Sequence, residues 1–574
     1  MVDSKKNDAL EAEKEYRTTV ESAADYIENF DILETITNVG NDEVFTPRKT
    51  CDMMLDSLPE EVWHNPNYKW LNPATKNGIF EREIAIRLDI GLKDVIPDTE
   101  TRRKHILQNM IYAIGQTKFT ANVARRTLYY CSQANKKCDG IIADDGHYVN
   151  GYAIGNGSWF DTPEGNILTP ITNHEFVDSS GKAMSSYISN EAKKKYKCKY
   201  CGITGDSKYN DANQRETYAY EFIHYHHLVI GRKLNERFFG GNKNMKFDII
   251  IGNPPYQLSD GGGANGKSSF PIYNKFIEQA IKLDPKYISM IIPSRWFSGG
   301  KGLDDFRKNF LNDPRISKID DFVNSKDCFP NVDISGGVCY FLWDKNNQNN
   351  HCIVSTHNAG KVVSSKRILN EYDVFIRDHI AVDIIKKIEK KVNLKKNNFS
   401  QLVSTRCPYG LGSDYRGRDQ KSMKDNISLH SSKGITYISK NEIVTGSDSV
   451  FEYKIMMSKA TSEHANIPDK DGKFKIISTV KIIQPNEICT DSYLVIGLGY
   501  NKDQINNILG YIKTKFFRYL LQQSLTSISI SKDRFQFIPL LDFSKTWSDT
   551  DLYNKFELNS EEIKHIDNTI KEMK

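Results

Sequence analysis

The sequence lacks long hydrophobic runs and an apolar leader. No uninterrupted apolar stretch approaches the roughly 20 residues of a membrane-spanning helix. The start, Met-Val-Asp-Ser-Lys-Lys-Asn-Asp, has no apolar centre like that of a signal peptide, so we expect a cytoplasmic protein with no membrane partner. The ten cysteines follow no regular spacing. In a reducing compartment this pattern favours thiols or a metal site over a disulfide framework.

Net charge is also small, and no helicase or nuclease motif is assigned. A formal charge of +5 over 574 residues allows a local nucleic-acid groove but does not predict one. The string Gly-x-x-x-x-Gly-Lys-Ser occurs at 261–268, but this glycine-rich segment is predicted to be a loop and is not assigned as a helicase phosphate loop. No convincing Pro-Asp…Glu-x-Lys nuclease constellation is found. Any helicase or nuclease activity associated with it is therefore expected from a separate partner. The length predicts roughly two to four domains.

The most informative segment is Asn253-Pro254-Pro255-Tyr256, which directly follows a short apolar run predicted to be a buried strand over 247–252. The Asn253 side-chain carbonyl and the Pro254 backbone carbonyl are hydrogen-bond acceptors, and Tyr256 offers a flat aromatic face. Two acceptors beside a stacking surface suit the exocyclic amine of a base that has been flipped out of a duplex. A proline-rich turn after an ordinary buried strand is the alternative.

This segment resembles the catalytic motif of the adenine-N6 DNA methyltransferases of bacterial restriction-modification systems. The resemblance implies S-adenosylmethionine as cofactor, double-stranded DNA as substrate, and catalysis by Asn253, Pro254, Pro255 and Tyr256. It also implies an α/β fold, a Rossmann-like class I methyltransferase sheet. Cytosine-N4 methylation uses the same motif. The order of motifs here, with the cofactor loop first and target recognition last, is similar to that of the adenine group.

Other segments resemble the cofactor motifs of that family. Phe45-Thr46-Pro47 precedes a predicted helix over 48–58, and the loop 72–80 follows a predicted strand where the family has Asp/Asn-Pro-x-x-Gly-x-Gly. The position after the next strand, and the loop after the catalytic motif, also contact the cofactor in the family. The resemblance assigns cofactor contacts to Phe45, Thr46, Pro47, Asn72, Pro73, Ala74, Gly78, Gln116, His224, Asn253 and Phe270.

Four positions depart from the pattern of the family. Asn72, Gln116 and His224 stand where acids are usual, and Lys76 replaces the first glycine of the loop. Neutral hydrogen bonds are roughly half as strong as charge-assisted ones, so these changes predict weaker binding of the cofactor. Two interpretations stay open. One is an active methyltransferase, and the other is a weak or inactive DNA-binding specificity subunit of a larger restriction complex.

Composition divides the chain into five predicted parts. Strand–helix alternation predicts a parallel sheet in the catalytic part, including a strand over 218–223 that ends at His224. The predicted domains are a helical arm (1–42), a methyltransferase domain (43–131 and 217–350), a small insertion (132–216), a basic helical linker (351–396) and an α+β target-recognition domain (397–574).

The insertion contains a possible metal ligand pair. Cys198 and Cys201 form a Cys-x-x-Cys-Gly knuckle, the loop that zinc ribbons use. A closed site needs two more ligands, and Cys131, Cys138 or His174 could provide them. A lone Cys-x-x-Cys is half of a zinc signal, so structural zinc and a plain turn both stay open. A His-metal nuclease at 226–227 is disfavoured because its ββα pattern is not evident.

Cations and aromatic residues interleave at two places where DNA contacts are expected. Arg295 and Trp296 follow a predicted strand over 287–292. The second group of cations and aromatic residues lies in a glycine-rich loop near residue 410. Arginine suits phosphates and base edges, whereas a solvated loop is the alternative. The predicted DNA contacts are Arg295, Trp296, Arg406, Tyr409, Tyr415, Arg416 and Arg418.

Overall fold

The computed structural model describes residues 44–129, 133–135, 159–171, 174–185, 187–200, 202, 204–205, 220–224, 227–241, 246–259, 269–298, 302–358, 360–424, 426–463, 468–525 and 529–573. The predicted arm, 1–42, lies outside these ranges. Two compact units make up the chain, Met1–Tyr287 and Ile288–Lys574. Within the described ranges, no helix combines the length and apolarity needed to cross a bilayer.

Parallel strands form the centre of the first unit. Their order is β6-β1-β2-β3, and β1 pairs in parallel with both β2 and β6. Every residue of these strands is buried, as expected for apolar runs covered on both faces. Two short antiparallel pairs, β4-β5 and β7-β8, accompany the sheet. The strands are β1 (Trp70–Thr75), β2 (Ile111–Gly115), β3 (Ile167–Leu168), β4 (Phe176–Val177), β5 (Lys197–Cys198), β6 (Ile249–Gly252), β7 (Gln257–Ser259) and β8 (Ser269–Pro271).

Helices connect these strands, in the strand–helix order that the sequence predicts. Caps fix several starts; Asp98, for example, accepts a hydrogen bond from Thr101 N at the start of α3. The helices are α1 (Arg48–Asp56), α2 (Ile79–Gly91), α3 (Thr99–Asn109), α4 (Lys118–Tyr129), α5 (Asn190–Lys193), α6 (His227–Phe239) and α7 (Tyr273–Lys282), with 3-10 turns at Glu60–Trp63 and Glu221–Ile223.

The second unit starts within β9 and contains a mixed sheet of order β13-β12-β10-β11-β9. In this sheet β10 is antiparallel to β11 and parallel to β12. Its members are β9 (Tyr287–Pro293), β10 (Ile316–Phe322), β11 (Val338–Asp344), β12 (Cys352–Asn358) and β13 (Lys361–Arg367), with helix α8 (Asp304–Leu311) and 3-10 turns at Ser294–Phe297 and Ser325–Asp327.

The remainder of the second unit is α+β, and it surrounds two hydrophobic cores. Two three-stranded sheets, β15-β14-β18 and β17-β16-β19, lie within it. Its elements are α9 (His379–Lys391), β14 (Ile427–Ser431), β15 (Gly434–Ile438), β16 (Lys454–Ser458), β17 (Val480–Ile483), β18 (Glu487–Cys489), β19 (Tyr493–Ile496), α10 (Lys502–Lys513), α11 (Lys515–Gln522), α12 (Asp549–Lys555) and α13 (Ser560–Thr569), with 3-10 turns at Phe399–Leu402, Lys440–Glu442, Ser447–Phe451 and Lys532–Phe535.

Two local predictions were wrong. The predicted strand over 218–223 is a 3-10 turn, Glu221–Ile223, in its described part. The segment predicted as a linker contains β12, β13 and α9, and α9 buries Ile384, Ile385 and Ile388 in the larger core. Lysines on the outer face of α9 conceal its apolar stripe in the sequence. The predicted domain boundaries themselves stay predictions.

Candidate active site

The carboxyl ends of β1 and β6 meet at the Asn253 segment. Trp70 and Leu71 pair in register with Ile249 and Ile250. Beyond them the Asn72 side chain packs so closely on Gly252 that a Cβ there would lie 2.5 Å from Asn72 Oδ1. A cavity opens at this edge, where open parallel sheets bind their ligands. Its lining residues are Thr46, Asn72, Ala74, Thr75, Lys76, Asn77, Gly78, Ile79, Phe80, Glu81 and Asn253.

Hydrogen bonds fix the orientation of the Asn253 amide. Its Nδ2 donates to Val44 O at 3.0 Å and to Thr46 Oγ1 at 3.1 Å. The side chain is buried, and its Oδ1 has no hydrogen-bond partner in the described part of the chain. A buried acceptor without a partner costs free energy unless a ligand satisfies it. The segment before α1 thus leaves Oδ1 available to a donor from the cavity.

Lys76 binds the same backbone carbonyl. Its Nζ donates to Val44 O at 2.8 Å and lies 5.9 Å from the centre of the Tyr256 ring. The side chain is only 5% exposed, although lysine is among the residues least often buried. The bulky cation that departs from the family pattern therefore links the loop after β1 to the segment before α1.

Glu81 is a carboxylate at the cavity that the sequence analysis missed. It lies in the first turn of α2, is 1% exposed, and its Oε1 accepts a hydrogen bond from Asn72 Nδ2 at 2.8 Å. Asn72 Oδ1 in turn accepts from Ala74 N, so both ends of this amide are used by neighbouring residues. Burial raises the pKa of Glu81. The site therefore has an acid, although position 72 is an asparagine.

Gly78 starts α2 in the left-handed region, with φ +80°. A Cβ there would approach Ala124 Cα to 2.9 Å, so glycine is needed both for the turn and for the contact with α4.

We expect Gly78→Ala to lower the melting temperature by about 5–10 °C, because left-handed strain of roughly 1–2 kcal/mol adds to this clash. Gly181→Ala is the matched control, since Gly181 also has a positive φ (+83°) but a Cβ there would meet no described atom within 4 Å. Thermal unfolding of the two variants measures the difference. Equal melting temperatures would contradict the role given to the contact with α4.

The other predicted cofactor residues of the first unit lie around this edge. Gln116 N donates to Thr75 O at 3.0 Å, and the buried Gln116 Oε1 has no partner among the described residues. Phe270 lies on β8, whose pairing with β7 follows the Tyr256 segment. The remaining members precede α1, lie in β1, or belong to the Asn253–Tyr256 segment; they are Phe45, Pro47, Pro73, Pro254 and Pro255.

His224 does not lie at the end of a strand, contrary to the prediction. It follows the 3-10 turn Glu221–Ile223 and contacts His174, with ring centres 5.2 Å apart. The strand next to β2 is instead β3, which consists of Ile167 and Leu168. A two-residue strand within a polar insertion carries too little pattern to be recognised in a sequence. The structure thus gives no support to His224 as an adenine contact.

Two of the predicted DNA contacts in the second unit are core residues. Trp296 is 0% exposed and packs edge-on against Phe297 and Phe310. Tyr409 is 1% exposed and belongs to the smaller core. Both predictions were wrong, because an aromatic residue next to arginine has the same local pattern in a core as on a surface. Arg295 is half-buried, and its Nε donates to Ser335 O at 3.2 Å.

The loop near residue 410 holds its arginines by different contacts. Arg418 donates to Glu442, as does the Tyr415 hydroxyl. Burial raises the pKa of Glu442, but these hydrogen bonds outweigh it and lower the pKa to about 2. Arg416 donates to the Ser413 carbonyl at 3.1 Å. The Arg406 side chain is 86% exposed, and its Nε lies 3.1 Å from Asp491 Oδ2.

We therefore expect Arg406→Ala to weaken DNA binding by about 3- to 10-fold and to reduce the salt slope by about 1, as for one lost phosphate contact. Tyr409→Phe removes only a buried hydroxyl, 3.3 Å from Ser449 Oγ, and should leave DNA affinity unchanged. Fluorescence anisotropy with labelled duplex at about 50 and 200 mM salt compares the two. Weaker binding by Tyr409→Phe alone would contradict this arrangement.

Comparisons with known proteins identify relatives of this chain. The model of the Eco57I restriction-modification methylase family matches residues 109–329. An uncharacterised adenine-specific methylase of Mycoplasma pneumoniae is 43% identical over 378 residues, which cover 63% of this chain and 83% of that protein.

Solved restriction-modification enzymes overlap more loosely. A nuclease-deletion mutant of the Type ISP enzyme LlaGI with a DNA substrate mimic is 11% identical, covering 86% of this chain and 46% of its own, at a TM-score of 0.45. The Type IIL enzyme MmeI in complex with DNA is 10% identical, covering 84% and 65%, at a TM-score of 0.40. The chain spans about half of the length of several such structures, and overlaps at these scores carry no argument about its activity.

Proposed function

Because the chain belongs to the family of adenine-specific DNA methylases of the restriction-modification type, which use S-adenosylmethionine, we propose that methyl transfer takes place at the Asn253–Tyr256 segment. The single observation that carries this proposal is the Asn253 amide. Its Nδ2 is held by Val44 and Thr46, and its buried Oδ1 has no partner among the residues described. Such a preset acceptor suits one proton of an exocyclic amine.

The residues of this segment act by positioning. Asn253 Oδ1 and the Pro254 carbonyl accept the two amine protons, which withdraws the nitrogen lone pair from conjugation with the ring. Tyr256, whose side chain is 9% exposed, stacks on the flipped adenine. When bound, S-adenosylmethionine supplies an electrophilic methyl group on a sulfonium. The alkylated amine is acidic, so no strong base is needed, and catalysis depends on orientation and electrostatics.

The polar groups of the cavity fit the methionine end of the cofactor. Glu81 provides a carboxylate for its ammonium, and Thr46 and Asn77 line the same space. Gln116 Oε1, a buried acceptor with no partner in the described ranges, suits a ribose hydroxyl. Lys76 Nζ donates to Val44 O, on the segment before α1.

The alternative, an inactive specificity subunit, is not favoured. It depended on missing acids, and Glu81 supplies one at the cavity. Within the proposal, the enzyme modifies adenine at a specific sequence in double-stranded DNA, and a separate nuclease or helicase subunit performs any cleavage. Methyl transfer needs no metal, so zinc bound by the insertion would have a structural role.

The test is transfer of labelled methyl groups to unmethylated genomic DNA by the full-length chain, followed by digestion to nucleosides. We expect label in N6-methyladenine, and none on DNA whose target adenines are already methylated. Label in N4-methylcytosine would overturn the assignment of the base. Absence of label, with DNA and cofactor both bound, would overturn the proposed site.

A further inference from the structure

Three side chains of metal-ligating types meet where the insertion adjoins the turn Glu221–Ile223. They are His174, Cys198 and His224, and one ligand atom from each lies within 4.8 Å of the others. In the part of the chain that the structure describes, no other trio of His, Cys, Asp or Glu comes together in this way. The three residues come from separate segments: one precedes β4, one ends β5, and one follows the turn Glu221–Ile223.

The orientation of His224 points independently to a ligand. Its Nδ1 lies 2.6 Å from the Tyr220 carbonyl oxygen, which can only accept a hydrogen bond. The proton of the neutral ring is therefore on Nδ1, and Nε2 has a free lone pair. This Nε2 is buried, in a side chain that is 1% exposed, and it has no hydrogen-bond partner among the described residues. Metal-binding histidines typically have this arrangement, in which the second nitrogen donates to a backbone carbonyl.

We propose that His174, Cys198 and His224 bind a structural zinc ion. Zinc prefers such a mixed sulfur and nitrogen set in tetrahedral geometry, and its bond lengths would bring the ligand atoms to separations of about 3.4–3.6 Å. Cys198 binds as the thiolate, so zinc binding releases its proton. Cys201, the knuckle partner predicted from the sequence, lies outside the described residues.

The position of the site suggests what the zinc stabilises. Lys275 of α7 donates to the Tyr200 carbonyl within the knuckle, and a Cβ on Gly202 would lie 3.6 Å from the Phe270 ring. On the other side of the site, Phe222 stacks on Phe276 of α7 at 5.8 Å. The zinc therefore ties the insertion to α7 and to β8, the strand that pairs with the segment following Tyr256.

The test is the metal content of the full-length chain, purified without a histidine tag and measured by mass spectrometry. We expect about one zinc per chain, lost at least about 10-fold in Cys198→Ser and in His224→Gln. Matched controls are Cys407→Ser and His64→Gln, since Cys407 and His64 lie outside the cluster and should not affect zinc content.

A second measurement does not depend on the folding of any variant. Replacement of the metal by cobalt in the unaltered protein should give a thiolate-to-cobalt charge-transfer band and tetrahedral d–d bands. Chelation should lower the melting temperature by at least about 5 °C. Absence of zinc together with absence of the cobalt bands, or full zinc content in both cluster variants, would overturn the proposal. Neither readout uses DNA or cofactor, so its failure leaves the proposed methyl transfer unaffected.

Discussion

Asn253→Ala is expected to reduce kcat for methyl transfer by about 100- to 1,000-fold, with little change in KM for either substrate. The substitution removes Oδ1, the acceptor that aligns the amine only as its nitrogen becomes nucleophilic. Loss of one preorganised hydrogen bond to a developing charge typically has an effect of this size. Because base stacking on Tyr256 and the contacts of Glu81 are unchanged, binding of DNA and cofactor should persist. Single-turnover methylation, with equilibrium binding measured in parallel, checks this expectation.

Thr46→Val keeps the acceptor, Asn253 Oδ1, and removes one of the two hydrogen bonds that orient its amide. Thr46 Oγ1 receives one of the two hydrogen bonds from Asn253 Nδ2, and Val44 O still receives the other. The loss of one neutral hydrogen bond, about 1 kcal/mol, should reduce kcat by about 5-fold. An Asn253→Ala protein that keeps more than about a tenth of the normal kcat would be incompatible with Oδ1 as the amine acceptor.

Local patterns were sufficient to predict the strand that precedes Asn253. The strand before Asn253 is a continuous apolar run that stops at two prolines, and β6 lies where this pattern placed it. The loop after β1 likewise ends at Gly78, whose positive φ only glycine adopts without strain. Both features depend on residues that are adjacent in sequence.

Features that depend on distant packing were not predictable in this way. An acid in the first turn of a helix is common on surfaces, where its charge interacts favourably with the helix dipole. Nothing in the sequence therefore marks Glu81 as buried. The same reason explains the wrong predictions for Trp296 and Tyr409, whose burial depends on residues far along the chain. His224 was assigned by counting strands, and the count failed because β3 is only two residues long.

Glu81→Gln is expected to raise KM for S-adenosylmethionine by about 10- to 100-fold, because a charge-assisted hydrogen bond worth roughly 1.5–3 kcal/mol is replaced by a neutral one. The variant should also lose pH dependence. Since burial raises the pKa of Glu81 above the ordinary 4.5, this carboxyl group takes up a proton at a higher pH than an exposed one. Binding of the ammonium needs the ionised form, so KM in the unaltered enzyme should rise as the pH falls through the raised pKa.

The stability of the unliganded protein should rise as the pH falls, whereas its affinity for the cofactor should decrease. A group whose pKa is raised in the folded state favours folding at pH below 4.5, and this contribution is lost as the pH rises through the raised pKa. Above that pH the unliganded protein carries a buried charge, so Glu81→Gln should have the higher melting temperature.

Glu83→Gln is the matched control for this pair of effects. Glu83 is also buried on α2, but it forms an ion pair with Arg82 at 2.9 Å and does not line the cavity. Its substitution leaves a buried arginine without that partner, so it should lower the melting temperature and leave KM for the cofactor unchanged. A Glu81→Gln protein with weaker cofactor binding and also lower stability would indicate a structural role for Glu81. The combination of higher stability with weaker binding is specific to a carboxylate that is kept ionised for a ligand.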